Sequence, residues 1–263
     1  MARHIMMLID TSKCIGCKAC QVACQQWHSK TAEDTQFTGS YENPPEKSGT
    51  NFNVVKFFEH ETGGELRWLF FPDRCRHCLY PHCKYACPLN AVYQFPWGGI
   101  AIYEARCDTS LCNKECELAC PYKTGSPIPK GVPRFEYEKN GSPVILSTAQ
   151  KCDFCYDRFN NPVLRGDSDS ANAQDGPRFN GAFDHYYGDP ARSNRPACEV
   201  ACPTSALQCA YHDDVIPYAK NRVKTLKALG FPNANLYPLT PQGTVQTHML
   251  WVLTEPLNAY GLS

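Results

Sequence analysis

The stretch Cys14-Ile-Gly-Cys17-Lys-Ala-Cys20-Gln-Val-Ala-Cys24 spaces its thiols as C-x2-C-x2-C-x3-C, and variants of that spacing recur three times. Cys75, Cys78, Cys83 and Cys87, followed by Pro88, widen the middle gap to four residues. Cys107, Cys112, Cys116 and Cys120, followed by Pro121, run C-x4-C-x3-C-x3-C-P and depart furthest. The last group is split into a CxxC pair, Cys152 and Cys155, and Cys198 and Cys202 before Pro203. All but one of the 17 cysteines therefore fall into four groups of four. Three thiolates on one tight loop can hold three corners of an Fe4S4 cube, while the fourth, three residues on, ligates the other cluster of a pair. Four such groups imply four [4Fe-4S] clusters in two pairs. The proline after the last cysteine is expected in the first turn of a helix, where its missing N–H is not needed.

Two other uses of cysteine fit worse. A disulfide framework suits a cysteine-rich secreted chain, but adjacent CxxC pairs are a poor way to staple distant segments. Zinc ribbons use two CxxC pairs per site and have no need of a triple followed by C-x3-C-P. Zinc competes best at the irregular third group. The seventeenth cysteine, Cys209, lies in the apolar run Ala206-Leu-Gln-Cys-Ala210 and reads as a buried core thiol.

The 263 residues are 43% hydrophobic with the cysteines counted in, so metal ligation is expected to supply much of the folding free energy. With 26 basic and 26 acidic residues, nothing points to nucleic acid or an anionic membrane as partner. The longest apolar runs, such as Met249–Leu253, are far short of a membrane span. The N-terminus is expected to hold no export signal of its own. The charges of Arg74-Cys-Arg-His-Cys78, and those of the Asp189-Pro-Ala-Arg192 and Ser193-Asn-Arg195 stretches, read as solvated surface or partner contacts.

A short apolar or β-branched run precedes each group: His4–Ile9, Leu66–Phe71, Ile100–Tyr103 and Pro143–Leu146. Strand, cluster loop and short helix thus form an internal repeat. Cys87-Pro-Leu-Asn-Ala91 even parallels Cys202-Pro-Thr-Ser-Ala206. The expected fold class is α+β, with two ferredoxin-like modules of two [4Fe-4S] clusters each, long loop insertions, and a C-terminal helix and strand. Residues 1–30 with 143–212 make the first module and 65–125 the second. Residues 31–64 and 160–195 are surface insertions, and 213–263 a C-terminal extension. Within that extension, Asp213 to Leu229 shows helical amphipathic spacing, and Thr244 to Thr254 reads as a strand. His77 and His82 are expected to shield or hydrogen-bond a cluster. No Rossmann fingerprint, P-loop or nucleophile elbow occurs, so no substrate site is expected on this chain.

These residues resemble a family. Ile9-Asp10 running into Cys14–Cys24, Tyr41-Glu-Asn-Pro44, Trp68-Leu69 leading to Cys75-x-His-Cys78, Lys151-Cys-Asp-x-Cys155-x-Asp-Arg158, Ala197-Cys-x3-Cys202-Pro-Thr204 and the tail Pro241-Gln-Gly-x4-His248 with Tyr260-Gly-Leu262 are similar to the iron–sulfur β subunits of formate dehydrogenases, within the four-cluster subunits of molybdopterin oxidoreductases. The resemblance implies an electron-transfer subunit with no catalytic site. A large Mo/W-bis-pterin subunit would be the partner, and a cytochrome c or another external acceptor would take the electrons. It also implies ligand sets: Cys14, Cys17, Cys20 with Cys202; Cys152, Cys155, Cys198 with Cys24; Cys75, Cys78, Cys83 with Cys120; and Cys107, Cys112, Cys116 with Cys87. Three clusters rather than four are implied if the third group is empty. The chain stops where membrane-bound relatives continue into an anchor, which resembles the soluble periplasmic two-subunit enzymes; a cytoplasmic location is the alternative. Other readings are a wire for a polysulfide, thiosulfate or dimethyl sulfoxide reductase, and a freestanding polyferredoxin.

Overall fold

The computed structural model describes residues 4–37, 39–124, 129–136, 148–158 and 195–262. The run Ile5-Met-Met-Leu-Ile-Asp10 forms β1, and all six residues are buried. A strand covered on both faces needs apolar side chains at every position, which is why the run does not alternate. β1 pairs antiparallel with β6 (Leu207–Tyr211) and parallel with β8 (Met249–Leu253), and β8 pairs antiparallel with β7 (Asn235–Tyr237). The sheet order is β6-β1-β8-β7. Residues from the two ends of the chain therefore lie side by side, Ile9 opposite Trp251 and Met7 opposite both Cys209 and Met249.

The period of two in the sheet separates two environments. Met6, Leu8, Leu250 and Val252 point to one face, where Val215, Ala219 and Leu226 of a long helix cover them. That helix, His212–Ala228, matches the amphipathic segment read from sequence. Ile5, Met7, Ile9, Cys209 and Trp251 point to the other face, toward Cys20, Cys24, Cys75, Cys152 and Cys198. The sheet is thus the wall between a conventional helix-covered core and the thiol-bearing region.

The second sheet is a hairpin of β2 (Val54–Thr62) and β3 (Glu65–Asp73), turning at Gly63-Gly64. β4 (Val92–Gln94) and β5 (Ile100–Ile102) make a third, short pair. The helices α1 (Ala19–Trp27), α2 (His82–Tyr85), α3 (Glu115–Leu118) and α4 (Ala197–Val200) each lie within one cysteine group, and the long helix is α5. α1 packs on α4 and α2 on α3, bringing group one against group four and group two against group three.

Four expectations need correction. Pro88, Pro121 and Pro203 do not open helices: α2, α3 and α4 end at Tyr85, Leu118 and Val200, and each Cys-Pro comes after the C-cap. Proline ends these helices because it cannot continue them. Residues 31–64 are not all surface, since Phe52, Val54 and Val55 are buried and β2 is the partner of β3. The strand expected over Thr244–Thr254 is confined to Met249–Leu253, and it lies inside the main sheet rather than appended to it. Arg74 and Arg76 are 1% exposed and so are not solvated. The strand expected over Pro143–Leu146 and the insertion over 160–194 lie outside the described residues.

Candidate iron–sulfur sites

The loops that present the thiols share a backbone device. In Cys14-Ile-Gly-Cys17, Cys75-Arg-His-Cys78 and Cys152-Asp-Phe-Cys155 the residue before the second cysteine has positive φ: Gly16 66°, His77 47° and Phe154 68°. A left-handed residue there turns the loop so that both thiols point inward, and the His77 N–H donates to Cys75 Sγ at 3.4 Å. Glycine adopts this conformation without strain. At Gly16 space requires it as well, because a Cβ would stand 2.8 Å from the Phe70 ring. Cys107 and Cys112 are instead bridged by a short 3-10 turn, Thr109–Leu111, which explains the longer gap in the third group.

The parallel between Cys87–Ala91 and Cys202–Ala206 is equally physical. Asn90 and Ser205 both have φ of 50°. Each turn aims the next N–H back at the cysteine, Ala91 to Cys87 Sγ at 3.4 Å and Ala206 to Cys202 Sγ at 3.2 Å. In the third group the N–H of Ala149 donates to Cys107 Sγ at 3.3 Å. Hydrogen bonds of this kind stabilise thiolates over thiols.

The sixteen thiols gather into four sets. Burial pushes the Cys14 thiol up to about 12, and Cys20, Cys202 and Cys17 are the thiols whose charges add to the effect. The Cys155 thiol is raised by burial and then by Cys198, Cys24 and Cys152. Cys78 is raised by burial and then by Cys75, Cys83 and Cys120. Cys116 is raised by burial, and its charged neighbours are Cys83, Cys107, Cys87 and Cys112. Buried thiols this close resist ionisation together, and a bound multivalent cation is what lets them ionise. The last set lines a small cavity, partly open to solvent, with Val92, Ile102, Phe135 and Glu115 among its walls. Four thiols per set, backbone N–H groups aimed at sulfur and this partly open space all fit an Fe4S4 cube.

The sets also stand in an order. Cys20 of the first set acts on Cys198 of the second. Cys75 of the third acts on Cys152 of the second. Cys83 of the third acts on Cys116 of the fourth. The series therefore runs from the Cys14 set through the Cys152 and Cys75 sets to the Cys107 set. Its first end reaches solvent at Cys17, which is exposed, whereas Cys75, Cys152, Cys155 and Cys198 in the middle are buried.

Cys209 joins none of the sets. It is buried on β6 beside Glu199, whose carboxyl burial pushes up and which the Cys209 thiol and Arg195 both contact. His77 is buried, held neutral by burial, and accepts the Ile100 N–H at Nδ1. His82 opens α2. Among the buried cations beside the thiols that sequence reasoning missed, two stand immediately before a CxxC pair. Arg74 Nη1 donates to Cys198 Sγ at 3.0 Å. Lys151 Nζ donates to the carbonyls of Ile100 and Cys152, and its charge draws down the pKa of Cys83. Their only signal in the sequence is position, each being directly before the first cysteine of a CxxC pair.

Comparison with known proteins finds relatives that carry iron–sulfur clusters. Residues 13–91 and 66–174 each match the description 4Fe-4S dicluster domain. The chain is 31% identical over 251 residues to the iron–sulfur subunit of the nitrate-inducible formate dehydrogenase of Escherichia coli K12, covering 95% of this chain and 68% of that one. It is 30% identical over 223 residues to the formate dehydrogenase subunit beta of Megalodesulfovibrio gigas, covering 84% and 82%. With formate dehydrogenase 2 subunit beta (cytochrome c-553) of Nitratidesulfovibrio vulgaris it shares 29% over 235 residues, covering 87% and 86%.

Proposed function

The chain belongs to the iron–sulfur subunits of formate dehydrogenases, and we propose that it conducts electrons through four [4Fe-4S] clusters from a Mo/W-bis-pterin subunit that oxidises formate to an external acceptor such as a cytochrome c. The observation that carries this reading is the serial order of the four thiol sets, which reaches solvent at Cys17 and passes through the fully buried Cys152 set. A bound [4Fe-4S] cluster accepts and returns one electron at a time. Oxidising formate to carbon dioxide and a proton releases two electrons, so two single transfers along the series complete one turnover. The chain's own part is to hold the thiols, exclude water from the central sets and aim N–H groups at sulfur.

The cytochrome c-553 named for the Nitratidesulfovibrio relative supports an acceptor of that class. Among the described residues no helix is long and apolar enough to cross a membrane. In this reading the protein works in the periplasm, exported already folded with its catalytic partner. Ile15 and Val22, each 59% exposed beside the first set, make the face toward that partner. The test is to purify the chain with whatever binds it and add formate under anaerobic conditions. Bleaching of the cluster absorbance, followed by reduction of added cytochrome c, is the expected result. A complex that bleaches with another donor and not with formate assigns the wire to a different pterin enzyme, and an iron-loaded lone chain makes it a freestanding carrier.

A further inference from the structure

Arg74 is a fixed positive charge sealed among the thiols. It follows the last residue of β3 and is 1% exposed. A guanidinium keeps its proton in any protein interior, and burying one without a counter-charge is strongly unfavourable. Among the described residues no carboxylate pairs with it. The adjacent Asp73 gives one oxygen to Lys47 and the other to Arg76, so Arg76 is neutralised and Arg74 is not. Sulfur is what Arg74 has: Nη1 donates to Cys198 Sγ at 3.0 Å and stands 3.6 Å from Met7 Sδ. Its Nε and Nη2 have no hydrogen-bond partner among the described residues. The negative charges that act on it come from Cys198, Cys20, Cys152 and Cys24. Three of these belong to the Cys152 set, and Cys20 belongs to the neighbouring one.

We propose that Arg74 sets the reduction potential of the cluster held by Cys24, Cys152, Cys155 and Cys198, raising it above the value those thiolates alone would give. The inference rests on the reading of these thiols as cluster ligands. Each electron drawn from the partner subunit adds one negative charge to a set that is already negative. A cation held at hydrogen-bond distance from a ligand sulfur, in an interior of low dielectric, stabilises the more negative state most. Hydrogen bonds to ligand sulfur act in the same direction. Nη1 supplies both to Cys198. The Cys14 set feels the charge through Cys20 without a hydrogen bond, so its response is smaller. The Cys75 set takes its positive neighbours elsewhere, Arg76 beside Cys78 and Lys151 beside Cys83.

The experiment is an EPR-monitored redox titration of the chain in its native complex, with iron and sulfide measured on the same samples. Arg74→Gln is expected to retain wild-type iron and to move the midpoint of one cluster to a more negative potential, with smaller movement in the others. Arg74→Lys keeps the charge and should titrate near wild type; if the Gln variant loses a cluster, this result alone upholds the proposal. The proposal is overturned if Arg74→Gln titrates as wild type, if all four clusters move equally, or if Arg74→Lys moves as far as Arg74→Gln. Loss of one cluster from both variants makes Arg74 a structural residue and also overturns it. A wild-type chain without iron sinks the cluster reading along with it, whereas full iron with no effect of Arg74 sinks only this inference.

Discussion

Cys20 and Cys24 stand one helical turn apart on α1 and belong to different thiol sets, Cys20 acting on Cys14 and Cys24 on Cys155. The same four-residue step separates Cys83 from Cys87, Cys116 from Cys120, and Cys198 from Cys202. Side chains at i and i+4 share a helix face, so two sites flanking that face each receive one thiol. α1 is thereby a bridge between the two sites of its pair, and in the other three groups the second cysteine follows just beyond the helix end. Cys20→Ala and Cys24→Ala should therefore damage different clusters. Each variant should lose or convert one cluster, a loss of up to about four iron atoms of roughly sixteen, and the two EPR signals removed should differ. Loss of the same signal in both would break the shared-helix reading, and stoichiometric zinc would remove the iron assignment altogether.

Cys202 and Cys209 provide a second contrast. Cys202 accepts the Ala206 N–H and faces the Cys14 set, whereas Cys209 lies on β6 against Glu199. Cys202→Ser should lose or convert one cluster. Cys209→Ser should leave iron and sulfide at wild-type content, as measured on both purified variants. Equal iron loss from the two would make Cys209 a ligand.

The sheet that walls off the thiols should be the main source of packing stability. Leu8 is 1% exposed and packs into the layer under α5. Leu8→Ala should cost about 3 kcal/mol, by lost burial plus the cavity left behind. Leu66, 59% exposed on β3, should cost less than about 0.5 kcal/mol on the same change. Thermal inactivation of the iron-loaded chain, followed through cluster absorbance, checks the difference. Similar behaviour of the two variants would mean that ligation alone holds the fold.

The cysteine loops were legible in the sequence because ligand spacing is a local property: the positive-φ turn at Gly16, His77 and Phe154 needs only the residues of its own loop. The helix over His212–Ala228 was legible from its periodicity. What was not legible depends on partners distant in the chain. β8 is an ordinary apolar run until β1, more than 200 residues earlier, makes it the inner strand of a sheet. Arg74 reads as surface because arginine usually is surface, and only the pairing of Asp73 with Lys47 and Arg76 leaves it facing sulfur. The Cys-Pro steps were misplaced because proline suits both the start of a helix and the turn beyond its end, and the dipeptide does not say which.

His248 gives a pH dependence that the thiols do not. It is buried where the tail crosses group two, its Nδ1–H donates to the His77 carbonyl at 2.8 Å, and its Nε2 lies 3.1 Å from His4 Nδ1. Burial, more than the nearby His4 and His212, lowers its pKa from 6.5 to about 4, against the opposing bond to His77. A histidine whose folded pKa lies below its unfolded value takes up its proton more readily when unfolded. Its contribution is therefore fully present above about pH 6.5 and is lost as pH falls toward 4, about 3 kcal/mol in all. His77, also held neutral by burial, acts in the same direction. His248→Gln can still donate an amide N–H to the His77 carbonyl and has no proton to gain. The variant should lose less stability than wild type between pH 6.5 and 4.5, measured as denaturant midpoints of the two proteins across that range. Parallel midpoint curves would show that His248 is not the group that titrates.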